Sequence, residues 1–103
     1  MATTPEGKVK KQIKAILQEH GVYYVMPMGT GYGNSGVPDF ICCAGGRFVG
    51  IEAKSIRGTV TALQDKNLSL IQAAGGIALV VNEGSLDLLR GTIKLLKDPS
   101  CKL

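Results

Sequence analysis

The sequence has few of the residues that several functional classes need. Its 103 residues include one histidine, three cysteines and no tryptophan. The single histidine, His20, excludes multi-histidine metal sites and disfavours Ser-His and Cys-His nucleophile chemistry. The cysteines (Cys42, Cys43 and Cys101) are odd in number and have no C-x-x-C spacing, so the sequence supports neither a disulfide framework nor a thiolate zinc site. We therefore expect a reduced, intracellular protein.

Long apolar runs are also missing. Hydrophobic residues make up 45% of the chain and charged residues 19%, and no run approaches the ~20 residues that a transmembrane helix needs. The amino terminus leads into a charged amphipathic stretch and lacks the apolar core of a secretory signal. The composition therefore disfavours disorder and membrane insertion. We expect one cytoplasmic domain over residues 1–103, with no membrane partner.

The spacing of apolar and turn-forming residues predicts an α/β (α+β) fold. Apolar residues recur at helical spacing in three segments, and β-branched, aromatic or continuous apolar residues mark four strands. The last strand is expected to be covered on both faces. The expected order is α-β-β-β-α-β-α, a mixed sheet flanked by helices with an extra C-terminal helix. The predicted helices are 6–20, 61–74 and 85–96, and the predicted strands are 22–26, 39–43, 47–54 and 77–81.

Acidic and basic side chains converge on the two strands of the predicted hairpin. Alternate residues of a strand share a face, so Glu52 and Lys54 point to one side and Ala53 points to the other. Asp39 opens the preceding strand of the same hairpin and can reach Glu52 across the sheet. Paired carboxylates hold Mg²⁺ or Mn²⁺ for phosphodiester hydrolysis, the Ala53 carbonyl is a further oxygen donor, and a lysine stabilises charge on the phosphate. The alternative is an exposed ion pair and a turn-capping aspartate.

The order of these residues along the chain resembles the PD-(D/E)xK nuclease superfamily. It is most similar to the VRR-NUC family, the virus-type replication-repair nuclease domain, in its stand-alone phage or bacterial form. The likeness runs from the first helix to the strand that ends near Val81. The matching elements are Gly36-Val37-Pro38-Asp39, Glu52-Ala53-Lys54, Gln64 on a helix, and Gly75-Gly76 before an apolar strand.

The resemblance implies a restriction-endonuclease-like αβββαβ core and a metal-dependent nuclease. Asp39 and Glu52 correspond to metal ligands, and Lys54 corresponds to the catalytic lysine. Gln64 is expected to orient that lysine or its water. An acidic residue on the first helix completes the site in this family, and Glu6 is the matching candidate, although the helix dipole alone also favours an acid there.

Basic and aromatic residues are candidates for DNA binding. Lysines and arginines exceed acids by twelve to eight, for a formal net charge of +4, which suits an anionic partner but is also common in proteins without one. Tyr32 lies in a glycine-rich loop beside the proposed site, as a DNA contact or a loop anchor. Tyr23, Tyr24 and Phe48 lie in strands and are expected in the core. The candidate cations are Lys8, Lys10, Lys11 and Lys14 of the first helix, with Arg57, Lys66 and Arg47.

The resemblance therefore implies a Mg²⁺- or Mn²⁺-dependent endonuclease acting on branched DNA in the cytoplasm of a bacterial or phage-infected cell. Two symmetric incisions in a four-way junction favour a homodimer. We expect its interface at the strand edges or on the last helix, where Leu88 and Leu95 lie off the main apolar stripe. The alternatives are a nicking or restriction-type nuclease acting on linear duplex, and a catalytically silent DNA-binding module with the same fold.

Overall fold

The computed structural model describes residues 4–28 and 36–100, and this part of the chain contains three helices and one four-stranded sheet. The observed order is the predicted α-β-β-β-α-β-α, and each boundary lies within one residue of its expected position. The helices are α1 (Pro5–Glu19), α2 (Ala62–Ala73) and α3 (Leu86–Lys97), and the strands are β1 (Tyr23–Val25), β2 (Phe40–Ala44), β3 (Arg47–Ala53) and β4 (Ile77–Val81).

The sheet is mixed, with the spatial order β1-β2-β3-β4. The first three strands are antiparallel, and β4 is parallel to β3 because α2 returns the chain to the same end of the sheet. Gly45 and Gly46 both have positive φ and form the β2–β3 hairpin turn. None of the helices in the described ranges is long and apolar enough to cross a membrane.

One face of the sheet forms the hydrophobic core with α1 and α3. Alternate residues of β3 (Val49, Ile51 and Ala53) are buried there, together with Phe40 of β2. Tyr24 packs against Phe40, with ring centroids 6.0 Å apart, as expected for a core residue. The helices contribute apolar stripes that are almost completely buried. These are Val9, Ile13, Ile16 and Leu17 of α1, and Leu89, Ile93 and Leu96 of α3.

The opposite face of the sheet is covered only in part, which overturns three expectations. Tyr23, Cys43 and Phe48 lie side by side across β1, β2 and β3 on this face and are exposed, with Tyr23 at 74% and Phe48 at 47%. Tyr23 and Phe48 were expected to pack in the interior. The strand β4 was expected to be covered on both faces, yet it lies at the sheet edge and Val80 is exposed. The reason is that α2 packs mainly against β4 and β3, where Ile71 lies beside Gly50 and Gly76.

The two phenylalanines provide a matched test of this arrangement. We expect Phe40→Ala, at a fully buried position, to lower the free energy of unfolding by about 3–5 kcal/mol because it leaves a cavity in the core. Phe48→Ala should cost at most about 1 kcal/mol because half of that ring already contacts water. Urea denaturation of both variants measures the difference. Equal losses would contradict the assignment of the two sheet faces.

Candidate functional site

The candidate site lies at the end of β3, where three segments meet. Glu52 is the second-last residue of β3, and Lys54 follows the strand directly. Asp39 precedes β2, and because β2 is antiparallel to β3, the start of one strand lies beside the end of the other. The first turns of α1 and α2 approach the same end of the sheet, since their residues Glu6 and Gln64 contact Lys54 and Glu52.

Asp39 is positioned by backbone contacts. The Ala53 N–H donates a hydrogen bond of 2.9 Å to Asp39 Oδ2. The preceding Pro38 lies over Gly50 of β3, where an added Cβ would be 3.2 Å from the proline Cγ. Gly36 has a φ of +83°, and a Cβ there would meet the Leu63 carbonyl carbon of α2 at 2.6 Å. Only glycine allows the backbone at position 36 to approach α2 so closely, which gives a physical reason for the first residue of the G-x-P-D pattern.

Glu52 is a buried carboxyl group, with only 2% of the residue exposed. Its Oε1 accepts a hydrogen bond of 3.3 Å from Gln64 Nε2. Its Oε2 is buried and meets no hydrogen-bond donor in the described part of the chain. A buried carboxylate oxygen without a donor is costly, because it loses the hydration that it has in water.

The protonation of Glu52 reflects this environment. Burial is the largest of the causes that raise the pKa of Glu52 from 4.5 to about 8. A side-chain hydrogen bond with Asp39 and the negative charge of Asp39 also raise this pKa, and Glu6 adds a smaller effect. The positive charge of Lys54 opposes them by lowering the pKa. The pair of Asp39 and Glu52 therefore favours either a shared proton or a bound cation.

Gln64 supports Glu52. Gln64 is expected from the sequence to orient Lys54 or its water, but in the structure its amide N–H contacts the glutamate. The amide oxygen is also engaged, because it accepts a hydrogen bond of 2.9 Å from the Thr61 N–H in a capping box at the start of α2. The helix cap thus fixes the side chain that donates to Glu52.

Lys54 and Lys10 connect α1 to the sheet through ion pairs. Lys54 Nζ lies 3.7 Å from Glu6 Oε1, and only 12% of the lysine side chain is exposed. Lys10 Nζ lies 3.4 Å from Asp39 Oδ1 and 3.9 Å from Glu6 Oε2. Glu6, the candidate third metal ligand, is therefore placed between two lysines. Charges of both signs alternate from Lys54 through Glu6 and Lys10 to Asp39.

The oxygen donors present fit a small divalent cation. Asp39 and Glu52 are neighbouring carboxyl groups, and the partnerless Oε2 of Glu52 is a vacant acceptor. Mg²⁺ commonly takes one or two carboxylates and completes its shell with water or substrate. No three side chains among the His, Cys, Asp and Glu residues of 4–28 and 36–100 are grouped closely enough to hold a metal. Any cation here would depend on the two carboxylates.

The other predicted DNA contacts lie at different distances from this site. Lys10 belongs to the site itself. Arg47 lies at the opposite end of β3, where it donates a hydrogen bond to the Gly75 carbonyl. Tyr32 lies outside the described residues. The remaining candidates are exposed on α1, on α2 or in the segment before α2, and they are Lys8, Lys11, Lys14, Lys66 and Arg57.

Two features of the site were not predicted from the sequence, although signals for both are present. Thr61 and Gln64 have the T-x-x-Q spacing of a capping box, which indicates that the glutamine is held at the helix start. Lys10 follows Glu6 by four residues, so one side of α1 presents both charges to the site.

In comparisons with known proteins, no family model, no curated protein and no solved structure matches this chain.

The raised pKa of Glu52 predicts a pH-dependent stability. Between pH 4.5 and about 8 the unfolded chain has released this proton while the folded protein retains it. The free energy of unfolding of the metal-free protein should therefore fall as pH rises through this range, by at most about 1.4 kcal/mol per pH unit. Glu52→Gln should remove this component. Urea denaturation in EDTA from pH 5 to 8.5 measures it.

The exposed Glu83 provides the control for this experiment. Glu83→Gln should leave the pH dependence of the wild-type protein unchanged, because its carboxyl group is already in water. A Glu52→Gln variant with the same pH slope as the wild type would contradict the assignment.

Proposed function

We propose that this protein is a metal-dependent endodeoxyribonuclease of the VRR-NUC type, with a restriction-endonuclease-like core, that hydrolyses phosphodiester bonds in branched DNA. The observation that carries the proposal is the buried Glu52 carboxyl, whose Oε2 meets no donor in the described part of the chain and whose pKa is shifted by both Asp39 and Lys54. Structural ion pairs seldom leave such an oxygen buried without a donor. The same three residues form the nuclease-like pattern in the sequence.

Asp39 and Glu52 would hold Mg²⁺ or Mn²⁺, with the Ala53 carbonyl as a further donor. When bound, such a cation supplies Lewis-acid chemistry, which lowers the pKa of water and neutralises charge on the phosphate. The protein aligns the two carboxyl groups through the Ala53 N–H on Asp39 and the Gln64 amide on Glu52. Because both contacts come from regular elements, the ligand oxygens are held before a substrate arrives.

Lys54 supplies the second positive charge. Its ammonium is almost buried and paired with Glu6, so its position is set in advance, and it need not be ordered during the reaction. A fixed ammonium beside a scissile phosphate stabilises the negative charge that develops on the phosphate oxygens. Glu6 acts here by positioning Lys54. A role for Glu6 as ligand of a second cation would require it to leave both lysines.

DNA binding would use the basic side of α1. Lys10 and Lys14 lie one turn apart on this helix, and Lys14 extends the positive charge away from the site. A second copy of the chain would supply the second incision. Leu88 and Leu95, seven residues apart on the outer side of α3, are 70% and 50% exposed and are the candidate interface.

A cleavage assay tests the proposal directly. The protein is incubated with a labelled four-way junction or its matched linear duplex in Mg²⁺, Mn²⁺ or EDTA. We expect paired, symmetric, metal-dependent cuts in the junction and none in the linear duplex. Asp39→Asn should abolish them because it removes a ligand charge, whereas Asp98→Asn, at an exposed position beyond α3, should cleave normally.

The other outcomes of this assay are equally informative. Cleavage of both substrates would retain the nuclease and contradict the specificity for branched DNA. Binding to DNA without cleavage in either metal would contradict the nuclease and favour the silent DNA-binding module.

Lys54 should affect cleavage more than binding. We expect Lys54→Ala to slow single-turnover cleavage by at least about 100-fold, because it removes a charge that acts on the transition state. The affinity for the junction, measured in Ca²⁺ or EDTA by fluorescence anisotropy, should change by less than about threefold. Lys94→Ala, on the exposed side of α3, controls for the loss of one positive charge. Parallel losses of binding and cleavage would contradict the catalytic role of Lys54.

A further inference from the structure

We propose that Lys10 is an internal competitor of the divalent cation, which holds Asp39 in the metal-free protein and must release it when a cation binds. The proposal rests on the metal site described above. It assigns to Lys10 a role as a positioning residue that controls metal affinity, in addition to its place among the candidate DNA contacts. The evidence is the set of contacts that each carboxylate oxygen makes.

Each oxygen of Asp39 has one further contact in the described part of the chain, besides the interaction of this carboxyl group with Glu52. The Ala53 N–H donates a hydrogen bond of 2.9 Å to Oδ2, and the Lys10 ammonium lies 3.4 Å from Oδ1. The Ala53 N–H belongs to β3 and cannot move without breaking the strand. The ammonium is therefore the positively charged contact at Asp39 that a cation can replace. A cation that used Oδ1 would take the place of Lys10 as its charge partner.

The Lys10 side chain can change its conformation. Its side chain is 36% exposed, and it joins the helix through four flexible methylene groups. The backbone of α1, by contrast, is held by the Thr4 cap and by the buried Val9 and Ile13. Lys54 differs from Lys10 in this respect, because its side chain is only 12% exposed and is held by Glu6. The site thus has one fixed ammonium, that of Lys54, and one that can move into solvent, that of Lys10.

Electrostatics makes the competition unavoidable. In the metal-free protein the Lys10 charge offsets the negative charges of Asp39 and Glu6. A divalent cation bound at the same oxygen would lie within a few ångströms of the ammonium, and like charges at that separation repel strongly in a partly buried site. The free energy of the lysine–aspartate contact is therefore lost each time the metal binds. Metal affinity is lower than the carboxylates alone would give.

The displaced ammonium has a natural new partner in a phosphate group. An anionic substrate that pairs with Lys10 would release Asp39 and raise the affinity for the cation. By thermodynamic linkage, the bound cation would raise the affinity for that substrate by the same factor. Lys10 would in this way couple metal loading to the arrival of the phosphate, with no change in the fold.

Mn²⁺ binding to the protein alone, measured by isothermal titration calorimetry without DNA, tests the proposal. We expect Lys10→Met to bind Mn²⁺ about tenfold more tightly than the wild type, because the competing charge is gone while the aliphatic stem remains. Lys10→Arg, which retains the charge, should stay within about threefold of the wild type. Lys94→Met removes one charge from α3 at an exposed position, and screening should keep its effect below about twofold.

The outcomes separate this inference from the proposed function. Tighter binding by Lys10→Met but not by Lys10→Arg or Lys94→Met supports it. Mn²⁺ binding by the wild type with no gain in Lys10→Met overturns the inference and leaves the metal site intact. Absence of binding in both proteins overturns the metal site and the inference together. Lys10→Gln provides a second uncharged variant, and thermal unfolding of each variant in EDTA establishes that the protein titrated is folded.

Discussion

Burial of the Glu52 carboxyl group is the constraint on which the arrangement of the site depends. A carboxylate removed from water must be neutralised, paired or hydrogen-bonded. The Gln64 amide satisfies Oε1 of Glu52, while Oε2 meets no donor in the described part of the chain. The raised pKa of Glu52 shows that Lys54 does not fully offset burial and the neighbouring Asp39. The protein therefore maintains a position at which a proton is stabilised, and this is the position at which we propose that a cation binds.

The fold creates this position by packing its core on one face of the sheet and by placing the charged groups at the end of β3. Most of the hydrophobic core lies between α1, α3 and the sheet face that they cover, and this packing supports the register of the strands. At the end of β3, residues from α1, α2 and the β2–β3 hairpin then meet around Glu52. Gly36 and Gly50 allow the loop before Asp39 to lie directly on α2 and β3. Packing thus supplies a rigid frame, and the charged groups are placed at its rim.

Much of this arrangement could be predicted from the sequence because it depends on short-range periodicity. The apolar spacing located every helix and strand to within one residue. The two-residue repeat of a strand places Glu52 and Lys54 together, and the hairpin brings Asp39 to them. A strand pattern also states which residues share a face. It does not state whether another element covers that face, which is why the exposure of Tyr23 and Phe48 was not predicted.

The partners of flexible side chains were the other part that sequence could not supply. Gln64 and Lys10 each reach several groups from their helices, and the choice depends on distances across the tertiary structure. Gln64 contacts Glu52 because the capping box turns its amide oxygen toward Thr61. Lys10 contacts Asp39 because the start of α1 lies against the end of the sheet.

The nuclease assignment itself remains a prediction, supported by the motif and by the chemistry of the carboxyl pair.

A crystal structure of the protein soaked in Mn²⁺ tests the central claim most directly. The account predicts an anomalous difference peak bound by carboxylate oxygens of Asp39 and Glu52, with the Lys10 ammonium moved away from Asp39. A structure of the soaked crystal with no such peak and an intact Lys10–Asp39 contact would contradict it. The buried carboxyl would then be a structural feature of the sheet end, with no role in binding a metal.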